Sequence, residues 1–149
     1  ISIAIPELEF PVKLVGKVDR IDEYNGITRI IDYKTGHVGQ NLVEIVNWED
    51  ITTDYNKYSK SFQVLTYAYM LNELESFSGA VEGGIISFKN LQGDYFLKFA
   101  KKDKSGRGAI KDQVISQQTL KDFKIQLKNL ILEQMVTQNF NVMMLHEYK

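Results

Sequence analysis

The chain has 149 residues, 44% of them apolar and 25% charged, with 18 Lys plus Arg against 19 Asp plus Glu for a net charge of −1. This is the size and balance of one soluble folded domain, and it argues against a disordered tail or a strongly cationic nucleic-acid binder. Without cysteine the segment has no disulfide, thiolate zinc site, iron–sulfur cluster or cysteine nucleophile, so any metal must take oxygen or imidazole ligands.

In chain order, Ile1 to Phe10 carries β-formers around Pro6 and predicts a strand or a pair of extended pieces at a sheet edge. From Val12 the residues alternate, with Val12, Leu14, Gly16 and Val18 on one face, which predicts a strand reaching Ile21. Asn25-Gly26 signals a type I′ hairpin turn, and Ile27 to Lys34 returns as the second strand. His37 to Asn56 is polar and irregular, and its apolar patch, Leu42 to Trp48, suits either a strand or a helical turn. Lys57 to Leu74 predicts a helix apolar almost all round and buried on most sides. Gly84 to Lys89 and Tyr95 to Ala100 predict a second hairpin, and the lysine-rich run from Lys101 to Asp112 predicts a mobile loop. Thr119 and Asp122 suit a capping box for an amphipathic helix through about Gln138, with Leu120, Phe123, Leu127, Leu130 and Ile131 on its apolar face.

No apolar run approaches the roughly 18 residues that span a bilayer, and Ile1 to Ile5 is too short and uncharged for a signal peptide, so a cytoplasmic setting is the simplest reading. An initial Ile in place of Met suggests a piece of a longer polypeptide. Charge is uneven: residues 1–83 hold 7 basic and 13 acidic side chains, and residues 84–149 hold 11 basic and 6 acidic. Such a division suits a metal site beside a polyanion, or simply a solvated lysine-rich surface.

If Asn25 and Gly26 are the two turn residues, cross-strand partners pair symmetrically about them. Asp19 then faces Asp32, Lys17 faces Lys34, Asp22 faces Arg29 and Ile21 faces Ile30. Two carboxylates with Cβ atoms about 5 Å apart repel unless a cation sits between them. Mg²⁺ or Mn²⁺ suits this place, because a hard ion that keeps several waters needs only one or two carboxylates plus substrate phosphate oxygens. Lys34, two residues from Asp32 in a strand, projects beside the same ion. Two carboxylates and a lysine on one sheet face suit phosphodiester hydrolysis. The alternative is a hairpin decorated with exposed charges.

The strings Gly16-Lys17-Val18-Asp19-Arg20-Ile21-Asp22, Ile30-Ile31-Asp32-Tyr33-Lys34-Thr35-Gly36 and Gln63-Val64-Leu65-Thr66-Tyr67-Ala68-Tyr69 resemble, in order and spacing, the motifs of the RecB-like branch of the PD-(D/E)XK nuclease superfamily. The resemblance implies a restriction-endonuclease-like α/β fold, a mixed β-sheet flanked by helices, as a single domain over 1–149. It implies Asp19, Asp32 and the backbone carbonyl of Tyr33 as metal ligands and Lys34 as the catalytic lysine. Gln63 and Tyr67, at i and i+4 on one helix face, become supports of the active site that touch the nucleic acid. The family's first helix, which often brings a further metal ligand, has no counterpart in the 18 residues before Asp19, and Glu7 and Glu9 are poor substitutes. An isolated chain without that helix is expected to bind metal weakly and to be nearly inactive, with cleavage recovered when the upstream helix is restored.

Lys17, Lys101, Lys102 and Lys104 are candidates for the DNA backbone, as is the stripe Lys121, Lys124 and Lys128. His37, His146 and Trp48 suit solvated or packing roles. The expectation is a Mg²⁺-dependent DNA nuclease, an exonuclease of recombination or repair, joined in its parent protein to a helicase domain or subunit. The runner-up is an inactive nuclease-like module that grips DNA ends or a partner helicase without cutting, a scaffold of a helicase-nuclease complex.

Overall fold

Asn25 and Gly26 take positive φ, 51° and 74°, the type I′ geometry whose twist matches its flanking strands. The computed structural model describes residues 1–147 and the side chains of residues 1–138. The N-terminal segment forms a small ribbon in which β1 (Ser2–Ile3) pairs antiparallel with β2 (Val12–Lys13). The chain then leaves strand geometry until β3 (Arg20–Tyr24). This corrects the continuous strand expected from Val12 to Ile21. Residues 14–19 run instead over a helix, close enough that a Cβ on Gly16 would lie 3.0 Å from Tyr67 Cε1.

Across the turn, β4 (Ile27–Lys34) pairs antiparallel with β3, from Tyr24↔Ile27 to Arg20↔Ile31. Asp22 faces Arg29, whose Nε and Nη2 donate to the two carboxylate oxygens at 2.7 and 2.8 Å. The ambiguous patch after β4 contains both alternatives: a 3-10 turn, Gln40–Val43, leads into β5 (Glu44–Ile45), and a second 3-10 turn, Trp48–Thr52, follows.

Helix α1 (Tyr55–Leu74) starts two residues before its sequence expectation because the Asp54 carboxylate accepts the Lys57 amide at 3.2 Å. Only one stripe of it is buried, Tyr58, Ser61, Val64, Leu65, Ala68 and Tyr69, so the helix is not enclosed all round. It crosses over to β6 (Val81–Ser87), which lies parallel to β4 from Thr28↔Val81 to Lys34↔Ser87. β7 (Phe96–Lys98) returns antiparallel to β6, giving the order β3-β4-β6-β7. At the ends of the parallel pair, Ser87 Oγ donates to the Gly36 carbonyl (2.6 Å) and the Asn90 amide to that of Val38 (2.7 Å).

The lysine-rich run expected as a loop contains β8 (Ala100–Lys102) and β9 (Lys111–Asp112), which form a second sheet with β5. Glu44 holds it together, since Lys102 Nζ lies 3.3 Å from its carboxylate and Lys111 is hydrogen-bonded to it. Burial alone would raise the Glu44 pKa, but the two ammonium groups, Lys111 foremost, outweigh it and hold the carboxyl below its ordinary range.

α2 (Gln117–Glu147) begins one turn earlier than expected. Its reciprocal cap joins Ser116 and Thr119, each hydroxyl accepting the other's amide at 3.1 Å, and Asp122 takes no part in it. Leu120, Phe123 and Leu127 are buried, and Phe123 meets Phe62 of α1 edge to face at 5.3 Å. One apolar core runs from Ile3 through Ile30, Leu65, Ile85 and Phe99 to Phe123. The architecture is a mixed α/β fold of restriction-endonuclease type. Among the described residues no helix precedes β3, and no helix is long and apolar enough to cross a membrane.

Candidate active site

Strand alternation turns Ile30, Asp32 and Lys34 to the face of β4 that meets α1, and Asp32 is the only charged residue buried among those described, 4% exposed. A carboxylate in that position must be compensated. Lys34 Nζ lies 2.7 Å from Asp32 Oδ2. From α1, Gln63 Nε2 donates to Asp32 Oδ1 (3.3 Å) and to Tyr67 Oη (2.9 Å), while Gln63 Oε1 accepts from Lys34 Nζ (2.9 Å). Donor and acceptor chemistry allow only this orientation of the amide. Asp32 Oδ2, although in charge contact with the lysine, is buried without an aligned hydrogen-bond donor.

Asp19 precedes β3 and is exposed, beyond the last ladder pair, Arg20↔Ile31. Its Oδ2 accepts the Tyr33 amide at 2.9 Å, replacing the backbone carbonyl that a longer strand would have offered. In a strand the amide and carbonyl of one residue point the same way, so the Tyr33 carbonyl also faces the Asp19 side, away from β6. The Tyr33 ring projects to the opposite sheet face and stacks on Phe88 at 5.6 Å. Among the described residues no cluster holds three or more carboxylate or imidazole groups.

An open cleft of about 680 Å³ begins at Lys34, Gln63 and Tyr67 and continues along α1 past Ser59 and Lys60 to Tyr55. The structure thus brings together Asp32, Lys34, Gln63 and Tyr67, with Asp19 joined to the same strand through Tyr33. Lys17 is exposed and is not a ladder partner of Lys34, because the ladder stops at Arg20. Lys101, Lys102 and Lys104 belong to the β8–β9 hairpin of the second sheet. Lys102 is held by Glu44, Lys101 Nζ donates to the Lys102 carbonyl (3.0 Å), and Lys104 is exposed in the turn. In the α2 stripe, Lys128 pairs with Glu7 at 2.7 Å and Lys124 lies 5.8 Å from the Tyr69 ring centre. His37 is exposed, Trp48 packs on Phe99, and the side chain of His146 lies outside the described residues. A smaller hollow of about 330 Å³, among Tyr24, Arg29 and Tyr95, is lined by the opposite end of β4.

Sequence reasoning missed Tyr55 and Lys60 as cleft residues. The signal was available, since Tyr55 and Ser59 precede Gln63 at helical intervals of four.

Over residues 2–145 the chain matches the PD-(D/E)XK nuclease superfamily, and it belongs to that family. No curated protein and no solved structure matches it.

Proposed function

We propose that this chain is the nuclease domain of a longer protein of the RecB-like branch, a metal-dependent deoxyribonuclease acting as an exonuclease in recombination or repair beside a helicase domain or subunit. The observation that carries the reading is the convergence of Asp32, Lys34 and Gln63 at the head of an open cleft. Asp32 Oδ2, buried without an aligned donor, together with the Asp19 carboxylate and the Tyr33 carbonyl, forms a hard-oxygen donor set that suits Mg²⁺ or Mn²⁺. When bound, such an ion acidifies water and stabilises charge on phosphoryl oxygens.

The chain's own contribution is positional. The Tyr33 amide holds the Asp19 carboxylate in one orientation, and Gln63 fixes both the Asp32 carboxylate and the Lys34 ammonium. Lys34 places a fixed positive charge where charge gathers on the phosphate or where the attacking water must be oriented.

The test is cleavage of linear single- and double-stranded DNA with Mg²⁺ or Mn²⁺ by the chain extended upstream to include a helix before β1, alongside calorimetric titration of the metal. Metal-dependent cleavage that falls about a hundredfold, or ~3 kcal/mol, in Lys34→Ala supports the reading. Metal binding lost in Asp32→Asn supports the donor set, and equal binding by both proteins rejects it. DNA binding without cleavage under all these conditions favours a non-cutting DNA-end module.

A further inference from the structure

We infer that Tyr55 is a base-stacking platform that makes the cleft selective for an unpaired strand. This inference rests on the nuclease reading and adds to it the form of substrate the cleft accepts. Tyr55, Ser59, Gln63 and Tyr67 follow one another at four-residue intervals along the face of α1 that borders the cleft, so one helical stripe joins the reacting groups to Tyr55. Tyr55 stands at the first turn of α1 with 84% of its surface exposed and belongs to no core cluster. Packing does not account for an aromatic ring there.

Eight residues separate Tyr55 from Gln63, about 12 Å along the helix axis. This puts the ring within a few nucleotides of a phosphate held at Lys34. Between the two, the cleft walls are largely apolar, formed by Val15, Ile51, Phe62 and Leu130, with Lys60 as a cation beside them. Phosphates gain nothing from apolar walls, whereas base faces do, and base faces are free only where the strand is unpaired. A paired duplex would present its charged backbones to these walls and keep its bases stacked inside. The chemistry therefore favours a single strand whose phosphates meet Lys34 and Lys60 and whose base lies against Tyr55.

The experiment measures binding by fluorescence anisotropy without divalent metal, so that nothing is cut. Wild type, Tyr55→Ala and Tyr55→Phe are compared on a single-stranded oligonucleotide, on the same oligonucleotide made abasic, and on a blunt duplex. The expected result is binding of the intact strand about tenfold weaker in Tyr55→Ala, with Tyr55→Phe close to wild type. The abasic strand should bind wild type and Tyr55→Ala equally. Because Tyr55 is exposed, Tyr55→Ala should fold as the wild type does, which circular dichroism checks. Equal binding of the intact strand by wild type and Tyr55→Ala overturns the platform and leaves the nuclease reading standing if metal-dependent cleavage persists. An equal loss on strand and duplex also overturns the platform. Failure of the wild type to bind or cut any of the three overturns both.

Discussion

The amide oxygen of Gln63 lies 2.9 Å from the ammonium of Lys34, so a side chain of α1 sets the position of the lysine at the end of β4. Gln63→Ala should keep the fold, because the residue sits half-buried at the edge of the cleft, while Lys34 loses its fixed position. Cleavage should fall by about tenfold to a hundredfold, with metal affinity changed far less, since misplacement of a reacting group costs rate before it costs binding. Turnover and calorimetry on the same preparation check this. An unchanged rate would assign Gln63 to packing alone.

Gly16 acts on the same network from the other side of the cleft. A Cβ at this position would lie 3.0 Å from Tyr67 Cε1 and 3.5 Å from Met70 Sδ, so Gly16→Val should push the Tyr67 ring and weaken its contact with Gln63. Tyr67→Phe removes the hydroxyl directly, at about 1 kcal/mol for a neutral hydrogen bond. If Gly16 works through that hydroxyl, the double variant should be little slower than Gly16→Val alone, and a double-mutant cycle of cleavage rates measures it.

Gly84 on β6 faces Lys98 in the β6–β7 ladder, and a Cβ there would stand 2.3 Å from the Leu97 carbonyl oxygen, a backbone atom that cannot swing away. Gly84→Ala should therefore cost about 2–3 kcal/mol of stability by forcing the two strands apart. Urea denaturation gives the value. A loss within experimental error would mean that the strands separate without penalty.

Glu44 predicts an acid-sensitive second sheet. Lys111 and Lys102 hold its pKa below the ordinary 4.5, so its contribution to stability is fully present above that value and is lost as pH falls through the depressed one. Glu44→Gln should cost about 2 kcal/mol at neutral pH by leaving two ammonium groups without their acceptor, and the difference from wild type should shrink steadily in acid. Melting temperatures of both proteins across that range decide it, and a constant gap would count against the ion pairs.

The lysines of the β8–β9 hairpin should divide by partner. Lys104→Ala, at an exposed turn, should flatten the salt dependence of DNA binding by about one log unit if it meets a phosphate. Lys102→Ala should lower stability through Glu44 and leave the salt slope largely unchanged. Affinities at several salt concentrations, with melts, separate the two effects.

The hairpin was legible because Asn25-Gly26 fixes its register locally, and the pairs Asp22–Arg29 and Ile21–Ile30 follow from the turn alone. The end of its ladder was not, because alternation cannot reveal that the Asp19 side chain, rather than a backbone carbonyl, takes the Tyr33 amide. Among the site residues, Asp32 and Lys34 share a strand face and Gln63 and Tyr67 a helix face, so periodicity groups each pair. Only the crossover from β4 through α1 to β6 joins the pairs, and that is a tertiary relationship. The basic run from Lys101 to Asp112 reads as a loop on composition, yet its partner Glu44 lies far upstream, where no local pattern reaches it.

The parallel pairing of β4 with β6 delivers the ends of both strands to one edge of the sheet. There Ser87 is tied to Gly36 and Asn90 to Val38, so the two outgoing segments brace each other through bonds that use neither the Asp32 carboxylate nor the Lys34 ammonium. Insertions or exchanges beyond those ties can reshape the rim while the strand beneath keeps its alignment. Evolution can thus alter what approaches this sheet edge independently of the carboxylate and lysine that lie inside it.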